Sequence, residues 1–187
     1  MHAETHPSEP NYLALFSGGT QGVHDDNCPL MFDVPSLADE GDYARKHSPW
    51  TDFSTVPAGA NQPLSAMPSD YARLPTVSFV IPNLCHDMHD CSIAEGDDWM
   101  RQNLDPYAQW ARTHHSLLVV SFDESESKGG DNHIVTFAVG SDVAVGPVTE
   151  RADHYRLLRT LEDLYGLPPL GHSAAATAIP GLWRTAA

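Results

Sequence analysis

Histidine and carboxylate side chains are concentrated at two places in the chain, and each place follows an apolar run. The stretch 85–90 reads Cys-His-Asp-Met-His-Asp, and the couplet Asp123-Glu124 ends a second run. Imidazole nitrogens and carboxylate oxygens suit a hard or borderline divalent cation. A solvated acidic loop is the alternative at each place. Because the couplet directly follows a predicted buried strand, we favour a cation site.

A serine near the start of the chain adds a candidate nucleophile. Ser8 stands two residues before Pro10, which suits the first turn of a helix. Free backbone N–H groups and the helix dipole at such a point favour an anion such as phosphate. On this motif alone the hydroxyl is more simply explained as a helix cap. A bound cation activates a serine by stabilising its alkoxide, so we predict that Ser8 and the couplet converge on one ion.

Composition excludes several classes of function. The chain has 187 residues, of which 10 are basic and 25 acidic, for a formal net charge of −15. This charge repels a nucleic-acid backbone, so we predict no nucleic-acid partner. No apolar stretch approaches the roughly 20 residues that cross a bilayer, and we predict no transmembrane segment. Residues 1–10 contain no apolar run, so we expect no signal peptide in this chain.

The hydrophobic patterning predicts an α/β domain with a mostly parallel sheet flanked by helices. Ligands gather beyond the carboxyl ends of the strands in such sheets, where both acidic places lie. The chain is treated as a single domain, 1–187, with an irregular excursion over 20–73 and a peripheral tail over 171–187. The predicted buried strands are 76–82, 116–122 and 133–139, and the predicted helices are 10–16, 97–112 (with Pro106 able to break it) and 153–165.

The three cysteines cannot all pair within one chain. Cys85 and Cys91 flank a His/Asp cluster, whereas Cys28 lies far from both in sequence. A small disulfide loop, a metal site and free thiols are all compatible with this spacing.

Six segments in fixed order resemble the phosphoesterase family of bacterial acid phosphatases and phospholipases C, which belongs to the alkaline phosphatase superfamily. The likeness extends from about Glu4 to Trp183. The segments are 5–18 (THPSEPNYLALFSG), 43–50 (YARKHSPW), 74–83 (LPTVSFVIPN), 87–90 (DMHD), 121–124 (SFDE) and 153–162 (DHYRLLRTLE).

The resemblance implies metal-dependent hydrolysis of phosphomonoesters through a covalent phosphoserine. Ser8 falls at the family's nucleophile position, and Asn11 of the same motif would hold a phosphoryl oxygen. Asp123 and Glu124 match the family's metal pair. His89 resembles either a metal ligand or the acid that protonates the leaving oxygen.

Four further residues are candidates for binding the substrate. His6 and His154 match recurrent family histidines, and Lys46 and His47 fall in a recurrent R-K-H-x-P stretch. The resemblance implies a divalent metal cofactor of unknown identity. It also implies a phosphate-ester substrate, with a phosphoinositide such as phosphatidylinositol 3-phosphate as one candidate, and a secreted protein.

The chain also departs from the family pattern. It lacks the family's first core strand, which ends in a Glu-Asn pair that completes the metal site. Only about a dozen residues connect Cys28-Pro29 to Tyr43, where the family has a helix and a strand. Two alternatives to an active phosphatase therefore stand. One is a truncated, catalytically impaired remnant that keeps only metal affinity, and the other is an acidic, histidine-rich metal-binding protein.

Overall fold

A computed structural model describes residues 1–27, 44–126 and 130–184. Its chain divides into two compact units, of which unit 1 is Met1–Asn27 with Ala111–Ala187 and unit 2 is Cys28–Trp110. The prediction of a single domain is not tested by this division and stays a prediction. The helices and strands are α1 (Ser8–Ser17), α2 (Ile93–Asn103), α3 (Asp105–Ala111), β1 (Leu118–Ser121), β2 (Thr136–Val139) and α4 (His154–Tyr165).

The first and last helices lie in unit 1 and form where the sequence predicts them. α1 ends at Gly18, whose φ of 74° is the left-handed conformation that stops a helix. α4 begins after Asp153, whose side chain accepts a hydrogen bond from the N–H of Arg156, and it ends at Gly166. The two helices pack against each other, with Leu13, Leu157 and Leu158 among the buried core residues.

The helix predicted over 97–112 lies in unit 2 as far as Trp110, and it is broken as Pro106 indicates. The side chain of Ser92 caps α2 and pairs reciprocally with Glu95 in a capping box. Pro106 is the second residue of α3, where its missing N–H costs no hydrogen bond. Residues 44–73 of unit 2, within the excursion predicted over 20–73, contain only short 3₁₀ turns, at Arg45–His47, Pro49–Asp52, Ala58–Ala60, Leu64–Ala66 and Tyr71–Arg73.

The sheet differs from the prediction. Within the described residues it contains only β1 and β2, which pair antiparallel with Leu118 opposite Val139 and Ser121 opposite Thr136. A parallel pair needs a crossover of a dozen or more residues, usually a helix, and the described residues between β1 and β2 contain none. The α/β composition is present, but a mostly parallel sheet is not shown.

The apolar run 76–82 forms no strand. Val77, Phe79 and Val80 are 46%, 37% and 36% exposed, so the prediction of a strand buried on both faces is wrong. β-branched residues favour extended backbone, but a strand also needs a neighbouring chain to complete its hydrogen bonds, and composition does not supply one.

The tail is part of unit 1 and is not peripheral as far as Arg184. Ser173 is fully buried, Leu182 is 8% exposed, and the backbone N–H of Arg184 donates to the carbonyl of Asp142 at 2.8 Å. No helix among the described residues is long and apolar enough to span a membrane.

The amino-terminal residues lead the chain to α1 along a defined path. The N–H of His2 donates to Ala152 at 2.7 Å, and the N–H of Ala3 donates to Asn132 at 3.0 Å. Residues 1–3 therefore lie between two later segments of unit 1. This arrangement places Ser8 near residues more than a hundred positions away in sequence.

Candidate active site

Ser8 and Glu124 are joined by a hydrogen bond, although 116 positions separate them in the chain. The Ser8 hydroxyl donates to Oε1 of Glu124 at 3.1 Å. The second oxygen of the same carboxylate, Oε2, forms a hydrogen bond with Nδ1 of His6. Three of the predicted site residues therefore meet at one carboxylate within unit 1.

Ser8 is the first residue of α1 but does not cap it. The N-cap is Pro7, which offers no side-chain cap hydrogen bond, and Oδ1 of Asp26 accepts from the N–H of Glu9 at 3.0 Å. The capping explanation favoured by the motif alone therefore does not describe this serine. Ser8 is only 3% exposed, and its hydroxyl proton points to a carboxylate.

Asp123 carries a buried carboxylate oxygen, Oδ2, that has no hydrogen-bond partner among the described residues. Burying such an oxygen without a partner costs free energy, and a bound cation offsets that cost. Glu124 follows Asp123 in the chain, and its carboxylate is hydrogen-bonded to the imidazole of His6. Carboxylate oxygens with an imidazole nitrogen form a donor set that suits a divalent metal ion.

One ready-made group of three metal-ligand side chains occurs in the described part of the chain, and it is a different one. Donor atoms of Cys85, Cys91 and Glu95 lie within 4.8 Å of one another. The two sulfurs are joined in a disulfide, with Cα atoms 4.6 Å apart, so they offer no thiolate to a metal. Of the three states left open for this pair by the sequence, the structure has the disulfide.

Asn11 is fully buried, and its amide is used by the backbone. Its Oδ1 accepts from the N–H groups of Glu4 and Thr5, and its Nδ2 donates to the carbonyls of Thr5 and Pro7, all at 3.0 Å. Both amide protons are thus engaged with backbone, and the contact of Asn11 with a phosphoryl oxygen stays a prediction. The geometry suits a residue that shapes the loop before Ser8.

His154 is 1% exposed, and its contact with substrate stays a prediction. Its Nε2 lies 3.2 Å from the carbonyl oxygen of Phe122, the residue that precedes Asp123. Burial lowers the pKa of His154, and Phe122 and Asp123 oppose this only in part. A neutral imidazole that supports the loop of the couplet fits these contacts.

Glu4 is a residue of this region that the sequence analysis missed. Its Oε1 accepts from the N–H of His154 at 3.1 Å, at the first turn of α4. Burial, followed by the charge of Asp153, raises the pKa of Glu4 to about 7. The available signal was an acid at the start of the resemblance, four residues before Ser8.

Unit 2 brings together the other three candidates: Lys46, His47 and His89. Lys46 Nζ lies 3.3 Å from Nε2 of His89, and the rings of His47 and His89 are 5.7 Å apart. An ammonium group only donates, so Nε2 of His89 accepts and its proton is on Nδ1. This Nδ1 donates to Oδ1 of Asp90 at 2.7 Å. His47, which is buried, pairs through Nδ1 with Oδ2 of Asp87 at 3.0 Å.

The loop that carries Asp87, His89 and Asp90 is closed by the disulfide between Cys85 and Cys91. Within it, the N–H of Asp90 donates to the carbonyl of Leu84 at 2.8 Å, and Met88 has a left-handed φ of 72°. The cluster combines a cationic ammonium with imidazoles, a combination that suits a phosphate oxygen. The shared ion predicted for His89 and the couplet stays a prediction.

Residues 24–168 match the phosphoesterase family. This match covers more than half of the 187 residues, and the chain therefore belongs to the phosphoesterase family, as its motifs indicate. The family is generally metal-dependent, in keeping with the donor set at Asp123 and Glu124. The matched range begins after Ser8, so the assignment of the nucleophile depends on individual relatives and on geometry.

The chain is 44% identical to a phosphatidylinositol-3-phosphatase of Mycobacterium tuberculosis, over 97% of this chain and 70% of that protein. It is 27% identical to a phosphate-repressible acid phosphatase of Penicillium chrysogenum and 26% identical to an acid phosphatase of Aspergillus fumigatus. It spans about half the length of these two fungal relatives, 52% and 48%. No solved structure matches the chain.

These relatives confirm the predicted enzyme class, a phosphoric monoester hydrolase of the acid phosphatase type. The alignment with the mycobacterial relative covers 209 positions, more than the 187 residues of this chain. That relative therefore has residues without a counterpart here, and their position after Cys28-Pro29 stays a prediction. Residues 28–43 lie outside the described residues.

Proposed function

We propose that this chain hydrolyses phosphate monoesters through Ser8, with a divalent cation bound at Asp123 and Glu124. The observation that carries the proposal is the hydrogen bond from the Ser8 hydroxyl to Glu124, which joins the candidate nucleophile to the predicted metal pair. Family membership and relatives named as phosphatases support the same chemistry.

The residues that would hold the cation are Asp123 and Glu124, with His6 beside them. The unpartnered Oδ2 of Asp123 is the donor in most need of a positive charge. When bound, a divalent cation supplies charge that offsets a serine alkoxide and the phosphoryl oxygens. Titration of the chain with different divalent cations would identify the metal.

Two half-reactions follow from the proposal. In the first, Oγ of Ser8 bonds to phosphorus, the bond from phosphorus to the ester oxygen breaks, and the alcohol leaves after gaining a proton. Glu124 is the group that already accepts the hydroxyl hydrogen bond, and it is the proposed first acceptor of that proton. In the second, water attacks the phosphoserine, releases inorganic phosphate and restores the hydroxyl.

The other predicted site residues divide into two proposed roles. Lys46, His47 and His89 form the cluster with phosphate-binding composition in unit 2, and their roles toward the substrate remain proposals. Asn11 and His154 are engaged by backbone, which supports positioning rather than contact with substrate.

A phosphoinositide is the proposed class of substrate, because the mycobacterial relative with 44% identity is named a phosphatidylinositol-3-phosphatase. We also propose that the protein works outside the cytosol. The disulfide between Cys85 and Cys91 supports this, because disulfides persist in oxidising compartments and are rare in reducing ones.

The test compares wild type with Ser8→Ala for phosphate release from p-nitrophenyl phosphate. Loss of the nucleophile is expected to lower kcat by about a thousandfold or more, and a chelator is expected to lower it similarly. Ser17→Ala is the matched control, since Ser17 ends the same helix and its hydroxyl donates only to backbone carbonyls, those of Leu13 and Gly19.

Release that is indifferent to both Ser8→Ala and chelator would contradict the proposal. The alternative favoured by a specific observation is cation binding without turnover, because a serine that is 3% exposed offers little room for a substrate. Calorimetric titration that finds cation binding by a wild-type chain without hydrolytic activity would establish that alternative.

A further inference from the structure

Asn132 connects the two loops that bring Ser8 and Glu124 together. Its side-chain Oδ1 accepts from the N–H of Ser125 at 2.8 Å, directly after the acidic couplet. Its Nδ2 donates to the carbonyl of Thr5 at 2.8 Å, three residues before Ser8. One amide group thus bonds both loops, which are more than a hundred positions apart in the chain.

The backbone of Asn132 strengthens this connection. Its carbonyl accepts from the N–H of Ala3 at 3.0 Å, so the amino-terminal segment is attached to the same residue. Its φ is 54°, a left-handed value that asparagine tolerates better than other residues with a side chain. Both the conformation and the two-sided amide therefore favour asparagine at this position.

Thr5 is the point at which two amides meet. Its carbonyl accepts from Nδ2 of Asn11 at 3.0 Å as well as from Nδ2 of Asn132. Asn11 belongs to the same segment as Ser8 and shapes it locally. Asn132 is the partner that ties this segment to the residue next to Glu124.

We propose that Asn132 is a positioning residue that sets the distance between the Ser8 hydroxyl and the Glu124 carboxylate. This inference rests on the proposed function, since it assigns Asn132 a part in the same reaction. The hydrogen bonds of the Asn132 side chain within the described residues are to backbone, so its effect on catalysis is through the two loops. A misplacement of about 1 Å at a reacting group can lower the rate a hundredfold.

Two variants distinguish the two hydrogen bonds of the Asn132 side chain, one with Ser125 and one with Thr5. Asn132→Asp keeps an acceptor for the N–H of Ser125 and removes the donor to the carbonyl of Thr5. Asn132→Gly removes both hydrogen bonds, and glycine tolerates the left-handed backbone of this position. Asn103→Asp is the matched control, because Asn103 also donates its Nδ2 to a backbone carbonyl, that of Trp99 in α2 of unit 2.

The kinetic measurement uses the full chain, p-nitrophenyl phosphate and Mg²⁺. We expect Asn132→Asp to lower kcat about tenfold and Asn132→Gly about a hundredfold, with KM within about threefold of wild type. Asn103→Asp is expected to stay within about twofold. A kcat that is unchanged in both Asn132 variants would overturn the proposal, as would an equal loss in the control.

Amide hydrogen exchange supplies a measurement that does not depend on activity. Asn132→Gly is expected to speed exchange at Ser125 and over residues 1–8 about tenfold or more, while Asn132→Asp retains protection at Ser125 alone. If wild type shows no hydrolysis, the proposed function fails, and the exchange result then decides whether Asn132 holds the two loops. Unchanged exchange at both places would overturn the positioning role.

Discussion

Glu124 is hydrogen-bonded to two other predicted site residues of unit 1. One of its oxygens accepts from the Ser8 hydroxyl, and the other is bonded to His6. A carboxylate with both oxygens engaged has a fixed orientation, which is the preorganisation that favours a reacting hydroxyl. Asp123, one position earlier, differs because its Oδ2 lacks any such partner among the described residues.

Glu4 is expected to make stability depend on pH. Its pKa is raised from 4.5 to about 7, chiefly by burial, so the folded chain binds an extra proton between these values. Stability from this group is complete below 4.5 and is lost as the pH rises through about 7. After allowance for solvent screening, we expect a loss of about 1–2 kcal/mol.

Glu4→Gln tests this by denaturant unfolding at a series of pH values. The glutamine keeps an oxygen for the N–H of His154 but does not titrate, so the fall in unfolding free energy across this range is expected to shrink. Glu150→Gln, at a carboxylate that is 65% exposed, is the control and should follow wild type. A Glu4→Gln profile parallel to wild type would refute the assignment.

The end of α1 depends on a close approach of two backbone segments. A Cβ on Gly18 would lie 2.1 Å from the carbonyl oxygen of Leu170, and the residue also has a φ of 74°. Gly22 has a similar φ of 76°, but a Cβ there would meet nothing within 4 Å. A side chain at Gly18 would therefore add both backbone strain and steric overlap, whereas one at Gly22 would add backbone strain alone.

We expect Gly18→Ala to destabilise the chain by about 3–5 kcal/mol, the sum of strain and overlap with backbone that cannot move aside. Gly22→Ala is expected to cost only the strain, about 1–2 kcal/mol. Thermal or denaturant unfolding of both variants measures the difference. Equal losses would show that the approach of Leu170 to α1 does not constrain the fold.

The net charge of −15 affects every cation measurement on this protein. Any salt reduces repulsion among the acidic groups and stabilises the chain to some extent. Stabilisation of the fold by a cation therefore indicates a specific site only to the extent that substitution of one ligand residue removes it. Asp123→Asn is the suitable variant, because it removes the charge around the unpartnered oxygen while keeping the shape of the side chain.

Mg²⁺ at about a hundred times its dissociation constant is expected to stabilise wild type by about 2.7 kcal/mol. For a chain of this size the corresponding rise in Tm is about 5–10 °C. In Asp123→Asn the rise is expected to fall to that produced by NaCl of equal ionic strength. An undiminished rise would instead favour dispersed cation binding by an acidic, histidine-rich chain.

Local elements were predictable because their signals lie close together in sequence. Gly18 and Gly166 mark the ends of α1 and α4, and Pro106 marks the break between α2 and α3. The strand predicted at 76–82 failed for the opposite reason. Its composition describes a preference for extended backbone, but a strand also requires ladder pairing with another segment, and in the described structure only β1 and β2 pair in this way.

The sequence by itself determined the family, the enzyme class and the types of side chain available for the chemistry, because residue identity and spacing are properties of the chain alone. Tertiary structure decided which of those side chains meet. It joined Ser8 to Glu124, engaged the amide of Asn11 with backbone, and gave Glu4 and Asn132 hydrogen bonds to backbone 150 and 127 positions away. The physical reason is that hydrogen bonds and burial depend on distance in space, and contacts separated by more than a hundred residues exist only once the chain has folded.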